Sequence, residues 1–321
     1  MTQSVSRRHF LEGSLAASAA LALSPRALAA ESSFKIGVIS DEISDDFDHA
    51  CYIIARQWNL RFVELRGVWG KNLQMISDAQ IAEAKKIIAK YGLTVTDIAS
   101  PLFKSGFPGA PPSRFAEEAD LHGAAANSAK QDEVLERSIA LARHFDTGKV
   151  RVFDFWRVDD IATYRAAINA KLQEAAEKAG KQNIMLVLEN EFACNTATGR
   201  EAGATLAGVP SRNLALNWDP GNAVMRGELD AFPAGWDAIP KDRLHHCHVK
   251  NAIKDSKGKI VWSPVDVGYV DWPAQFRALK QAGYADAVML ETHWKDGRGA
   301  ESSSTRSWAG MKKSLEAAAA I

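Results

Sequence analysis

Leu186-Val187-Leu188-Glu189-Asn190 is an apolar, strand-like run that stops at a carboxylate. The same design recurs three times downstream, in Leu216-Asn217-Trp218-Asp219-Pro220-Gly221-Asn222, His246-Cys247-His248-Val249-Lys250 and Met289-Leu290-Glu291-Thr292-His293. In an α/β barrel of eight alternating strands and helices, residues at the C-terminal ends of the strands converge on one face, where the chemistry is done. Glu189, Asp219, His248 and Glu291, arriving there from consecutive strands, would offer three oxygens and one nitrogen to a single divalent metal. That donor set suits Mn²⁺ foremost, or Mg²⁺, and admits Co²⁺ or Zn²⁺.

Each stretch is weak evidence by itself. A glutamate after an apolar run is commonly a salt-bridge partner or a helix cap, and Asp-Pro-Gly makes a turn with no function attached. Four ligand-type residues in register at four successive strand ends rarely arise by chance.

The rest of the chain supports the barrel. From residue 34 onward, strand patterns fall at 34–39, 61–65, 93–99, 149–153, 184–188, 214–218, 243–248 and 287–290. Helical patterns fit between them, among them 45–58, 78–91 with Gly92 as its stop, a helix ending at 145, 160–179 closed by Gly180, and a last helix over 304–320. Eight strands, each followed by a helix, predict a single (β/α)₈ domain over 31–321. A long irregular segment at 100–128 holds four prolines with Phe103, Phe107 and Phe115, and reads either as a lid over the site or as a surface insertion.

A chain of 321 residues with 46% hydrophobic content suits one barrel. Its formal net charge of +0 gives no electrostatic case for nucleic acid or anionic membranes. Three cysteines, Cys51, Cys194 and Cys247, make no disulfide framework. Cys247 alternates with His246 and His248 and should face away from them, into packing.

The first thirty residues read as an address. Arg7-Arg8 precede an apolar stretch that is broken by Glu12 and Gly13 and is too short to span a membrane, and Ala27-Leu28-Ala29 offers a cleavage pattern. This is the form of a twin-arginine export signal, cleaved near residue 30, which places the mature protein in the periplasm. Export in the folded state agrees with the sparse cysteines and with a preloaded metal.

These residues together resemble the xylose-isomerase-like TIM barrels, in the branch called sugar phosphate isomerases/epimerases. The likeness runs over the whole mature chain, through Val63-Glu64-Leu65, the Asp219-Pro220-Gly221-Asn222 turn, His248-Val249-Lys250, Val267-Gly268-Tyr269-Val270-Asp271-Trp272 and Glu291. It implies that Glu189, Asp219, His248 and Glu291 hold the metal and that Glu189 and Glu291 serve as acid and base on opposite faces of the substrate. It also implies that Glu64 faces the pocket, binding substrate or orienting a ligand. Asn222 stands where many relatives carry histidine, which argues against the multi-metal DNA-repair branch.

Strand parity adds substrate-contact candidates: His246 below and Lys250 above His248, His293 above Glu291, Glu191 above Glu189, with Asn222 beside Asp219. Of Trp69, Trp156, Trp218, Trp262 and Trp294, all near strand ends, one or two should reach the site.

A metal bridging a carbonyl oxygen and a neighbouring hydroxyl lowers the pKa of the C–H between them. One carboxylate removes that proton, and the metal steadies the enediolate. Return of a proton gives epimerisation or isomerisation; loss of a β-leaving group makes the enzyme a lyase or dehydratase of keto-sugars or keto-glycosides. A non-catalytic periplasmic sugar-binding barrel is the third reading. No glycine-rich phosphate cradle follows the last strands, so the expected substrate is an unphosphorylated sugar or sugar derivative. Its expected partners are that small molecule and the twin-arginine export machinery, without nucleic acid or a stable membrane anchor; a homodimer stays open.

Overall fold

Residues 32–116 and 130–321 are described by the computed structural model. The expected signal peptide and part of the 100–128 segment lie outside them. The apolar runs become eight parallel strands: β1 Lys35–Ile39, β2 Phe62–Leu65, β3 Thr94–Ile98, β4 Lys149–Val152, β5 Met185–Glu189, β6 Leu214–Trp218, β7 Leu244–Val249 and β8 Ala287–Leu290. Each pairs with its sequence neighbours, and β1 pairs with β8 to close the barrel. Each is followed by a helix: α1 Phe47–Tyr52, α2 Asp78–Tyr91, α3 Gln131–His144, α4 Ile161–Gly180, α5 Gly199–Ala207, α6 Pro220–Arg226, α7 Trp272–Gln281 and α8 Ala300–Ala317. The predicted (β/α)₈ class is therefore the observed one.

Period-two alternation sorts the strand residues. Val150, Val152, Leu186, Leu188, Leu214, Leu216, Cys247 and Val249 join one apolar core with helix residues such as Ile139, Leu172, Phe276 and Leu315. Truncating any such leucine to alanine costs about 2–5 kcal/mol. All three cysteines are buried and free, and Cys247 packs in this core as parity required.

The alternate, inward positions depart from the aliphatic filling usual in such barrels. Glu64, Asp97, Arg151, Asn217, His246 and His248 are all buried there. Glu189 lies opposite Asn217, Asn217 opposite His246, and His248 opposite Met289. One polar layer thus sits directly beneath the C-terminal mouth.

Local chemistry fixes the helix ends. Ser77 and Gln80 form a capping box at α2, which ends on Gly92 at φ +67°. Thr198 and Glu201 form a second box at α5. The helix expected over 45–58 is α1 continued by a wider π-helical turn at Ile53–Gln57. The last helix starts and ends somewhat earlier than its pattern suggested.

Two antiparallel hairpins at the mouth have no counterpart in the sequence reading. One pairs Gly67–Val68 with Lys71–Asn72, the other Asn251–Lys254 with Ile260–Ser263. Gly268 stands beside the second, at φ +144°, where a Cβ would lie 2.3 Å from Asn251 Oδ1. Only glycine fits that position, because the backbone is left-handed and the space is already filled. Phe103 stacks on Phe155 at 4.6 Å and Phe107 meets the same ring edge-on at 5.0 Å, so the described part of the long segment packs on the barrel. No helix among the described residues is long and apolar enough to cross a membrane.

Candidate metal centre at the mouth of the barrel

Asp219 shows how the chain builds this site. Pro220 keeps the preceding residue extended, so Asp219, at φ −124° and ψ 92°, caps α6. Its Oδ1 accepts the Asn222 N–H at 2.9 Å. Oδ2 is left for the centre, 2.8 Å from Lys250 Nζ and 3.8 Å from His248 Nδ1. Asn190, at the end of β5, ties the two strand ends together. It accepts the Asp219 N–H at 2.8 Å and donates to the Asp219 carbonyl at 2.7 Å. Gly221 lets Lys250 approach, since a Cβ there would sit 2.7 Å from Lys250 Cγ.

Glu189 is buried at the end of β5. Arg151 Nη1 on β4 lies 3.1 Å from its Oε2, and Asn222 donates to its Oε1 at 3.0 Å. Burial alone would raise this carboxyl, but His248 and Arg151 outweigh it and hold the group at about 2. Glu291, just past β8, has its own arginine. Arg66 Nη1 donates to its Oε1 at 3.1 Å, while the same guanidinium bonds Asp41 at 3.1 Å and Glu42 at 2.7 Å. Lys250 donates to Glu291 Oε2. Against the pull of burial, Lys250, His293 and His248 hold Glu291 well below the usual carboxylate range. Asp219 goes the other way: burial, only partly offset by Lys250 and aggravated by Glu189 and Glu291, pushes it up to about 7.

His248 stands between these acids. Its Nδ1 lies 3.2 Å from Glu291 Oε2, 3.4 Å from Glu189 Oε1 and 3.8 Å from Asp219 Oδ2, and among the described residues it has no hydrogen-bond partner. Burial lowers the imidazole pKa, but Glu64, Glu189 and Glu291 raise it well above its ordinary value. One donor atom from each of Glu189, Asp219, His248 and Glu291 falls within 4.8 Å of all the others. Around an ion with bonds of about 2.1 Å, adjacent ligand atoms are about 3 Å apart. The donor set and the unpartnered imidazole nitrogen therefore fit a divalent metal. Lys250 draws on the same Asp219 and Glu291 oxygens.

The remaining candidates divide by depth. Asn222 is buried, holding Glu189 and donating to the Asn190 carbonyl at 2.9 Å. Glu191 lies 3.8 Å from Lys104. His293 Nε2 is 3.3 Å from Glu291 Oε1, and its ring rests 4.9 Å from that of Trp262. Glu64 and His246 sit one layer lower, completely buried, with Glu64 Oε2 3.0 Å from Nε2 of both His246 and His248. A cavity of about 650 Å³ opens above the layer, lined among others by Glu42, Arg66, Asn72, Trp262, His293 and Lys295. Of the five tryptophans flagged, Trp262 reaches this cavity, while Trp218 is core and donates to Gln275 at 3.1 Å.

Sequence reasoning missed Arg151, Arg66 and Asp97. Arg151 sits at an inward parity position of Lys149–Val152, but that parity is fixed only once the barrel closes. The register of Thr94–Ile98 shifts against β2 between Val95 and Ile98, so alternation from Val95 would turn Asp97 outward.

Residues 53–319 match the family described as xylose isomerase-like TIM barrel, and residues 4–24 match the twin-arginine translocation signal sequence. No curated protein matches the chain by sequence. Among solved structures, a xylose isomerase-like TIM barrel protein from Mycobacterium smegmatis in complex with magnesium is similar at 19% identity and TM-score 0.60, over 85% of this chain and 89% of that one. The probable 3-DHS dehydratase AsbF from Bacillus anthracis aligns at 18% identity and TM-score 0.62, over 87% and 98% of the two chains. A D-psicose 3-epimerase solved with D-fructose aligns at 19% identity and TM-score 0.58, over 88% and 97%. These likenesses speak to the fold. With the match spanning nearly all of the barrel, the chain belongs to the xylose isomerase-like TIM barrel family.

Proposed function

We propose that this protein is a metal-dependent isomerase or epimerase acting on an unphosphorylated sugar or sugar derivative in the periplasm, after export by the twin-arginine route. The observation that carries this reading is the pair Glu189 and Glu291, two buried carboxylates kept ionised beside one candidate metal centre and each held by its own arginine. A divalent metal bound by Glu189, Asp219, His248 and Glu291 would supply Lewis acidity to a carbonyl oxygen and its neighbouring hydroxyl; Mn²⁺ suits these donors best.

The other tasks fall to the chain. One of the two glutamates takes the proton from the carbon next to the carbonyl, and the other returns a proton on the opposite face or at the adjacent carbon. A carboxylate held far below neutrality is a weak base. A substrate oxygen that takes over the Lys250 hydrogen bond frees Glu291 from that cation and raises its basicity. Lys250 then stabilises the charge developing on the substrate oxygen. Asn222 keeps Glu189 aimed, and the ring would meet His293 and Trp262, which line the mouth cavity, with Glu191 as a further contact. The formal net charge of +0 favours an unphosphorylated substrate.

Elimination is the second reading. The mouth cavity extends from His293 to Asn72, leaving room beyond the reacting carbons for a leaving group on a keto-glycoside. The discriminating experiment strips the protein of metal and supplies a panel of free and glycosidically linked ketoses. Conversion should vanish on chelation and return with Mn²⁺ or Mg²⁺, and the product should be an epimer or isomer. An unsaturated product selects the lyase reading. Turnover that survives exhaustive chelation contradicts the metal mechanism, and metal-loaded protein that binds sugars without converting any is a binding barrel.

A further inference from the structure

Among and beneath the candidate ligands, the barrel interior carries a column of fully buried ionisable groups. Glu64 on β2 is fully buried, and so are His246 and His248 on β7 and Asp97 on β3. Glu64 Oε1 and Oε2 lie 3.1 and 3.0 Å from His248 Nε2. Glu64 Oε2 also lies 3.0 Å from His246 Nε2, and His246 Nε2 is 3.7 Å from Asp97 Oδ1. The two imidazole rings meet edge to face at 5.2 Å, so both reach Glu64 without competing for one direction.

We propose that Glu64 and His246 are positioning residues for the metal centre, acting on His248 from below instead of on substrate. This rests on the metal reading above. An ionised carboxylate only accepts hydrogen bonds. When a metal displaces the other ring proton, His248 must therefore keep its proton on Nε2 to satisfy Glu64, and Nδ1 becomes the lone pair turned toward Glu189, Asp219 and Glu291. With the proton on Nε2, the Asn217 amide, whose Nδ2 is placed 3.2 Å from that nitrogen, must be assigned the other way round, so that its otherwise unpartnered oxygen accepts there. His246, by donating to Glu64 Oε2, stops the carboxylate from rotating away. A carboxylate that orients a ligating imidazole and raises its basicity changes metal affinity without touching the ion. The column thus gives Glu64, His246 and His248 a reason to be buried where a barrel normally keeps aliphatic side chains.

The test uses the full mature protein with ¹⁵N-labelled histidine. Calorimetric Mn²⁺ titration of wild type and Glu64→Gln measures affinity, and imidazole ¹H–¹⁵N correlation spectra of the Zn²⁺-loaded forms read the His248 tautomer. Wild type should show Nε2–H with Nδ1 metal-bound. Glu64→Gln, folded and of unchanged helicity, should bind Mn²⁺ about 10–100-fold more weakly, with the Nε2–H resonance displaced. An affinity within twofold of wild type together with an unmoved resonance overturns the proposal while leaving the metal centre standing. Failure of wild type to bind any divalent ion overturns both. If Glu64→Gln does not fold, His246→Gln carries the same test. Its expected loss is about threefold to tenfold, one hydrogen bond's worth, and an unchanged affinity there contradicts the proposal.

Discussion

The two ends of the barrel are both lined with charge, and they use it differently. At the N-terminal end, Asp286 lies among Lys35 at 3.2 Å, the His245 imidazole at 3.9 Å, and Lys149, which also donates to the His245 carbonyl at 2.8 Å. These groups line a cavity of about 550 Å³. One acid is shared between two lysines and approached by an imidazole, so burial of Asp286 is outweighed and its carboxyl stays far below the usual range. At the C-terminal end the acids crowd one another instead. Asp219 is pushed up to about 7, and His248 Nδ1 faces three carboxylates without a hydrogen bond. The lower cluster joins strands and is satisfied by them, which is a stabilising arrangement. The upper cluster gathers three carboxylates at fixed geometry around one imidazole nitrogen that has no hydrogen bond, an arrangement that suits a cation site. Conserving the fold asks only for the first; chemistry asks for the second.

The largest test of this contrast removes charge at the top. Glu189→Gln and Glu291→Gln should each lower turnover by about 10²–10⁴-fold, the usual worth of a positioned acid or base, and circular dichroism should show the fold intact. Asp286→Asn should leave turnover unaltered in the same assay. If Asp286→Asn matches the glutamate variants, the division between the two ends fails.

Next in size is the response to metal. Mn²⁺ at a hundred times its dissociation constant should stabilise the protein by about 2.7 kcal/mol, seen as a rise in melting temperature. His248→Ala should abolish that rise, and Asp286→Asn should keep it. A smaller effect is expected at the turn that admits Lys250. Gly221→Ala forces a Cβ toward Lys250 and should cost about 1–3 kcal/mol in denaturant unfolding, weakening metal binding as Asp219 shifts with its helix.

The smallest effect belongs to the lower end. Asp286→Asn removes charge-assisted hydrogen bonds and should cost about 1–3 kcal/mol at neutral pH. The folded carboxyl pKa lies below its unfolded value, so its contribution is complete above the ordinary carboxylate range and fades as pH falls toward the folded pKa. The stability gap between wild type and Asp286→Asn should therefore be constant above about pH 5 and narrow in acid. A gap that widens on acidification contradicts this sign.

Much of the scaffold was legible because barrel strands advertise themselves. Leu214–Trp218 and Ala287–Leu290 are where their apolar runs placed them, bounded by turn and cap residues. The four candidate ligands were legible for the same reason, since each ends such a run. Arg151 and Asp97 were not, because a charge inside a short strand reads as an exposed face until closure of the barrel decides which side is inside. Arg66 follows β2 by one residue, and nothing local announces that it reaches Glu291 across 225 positions. The Asn251–Lys254 hairpin was hidden because its two exposed residues, Ile253 and Lys254, read as loop; its partner strand and Gly268 only make sense together in space. Alternation does turn Lys250 inward, with its amine between Asp219 and Glu291.

The most direct test of the central claim is solvent deuterium exchange followed by NMR. Mature protein loaded with Mg²⁺ or Zn²⁺ is incubated in D₂O with ketoses and keto-glycosides, beside Glu189→Gln, Glu291→Gln and metal-stripped controls. Deuterium should enter at a carbon next to the carbonyl with the loaded wild type, and not with any control. Metal-bound wild type that exchanges no such proton across the panel, or a control that exchanges as fast as wild type, would contradict the account.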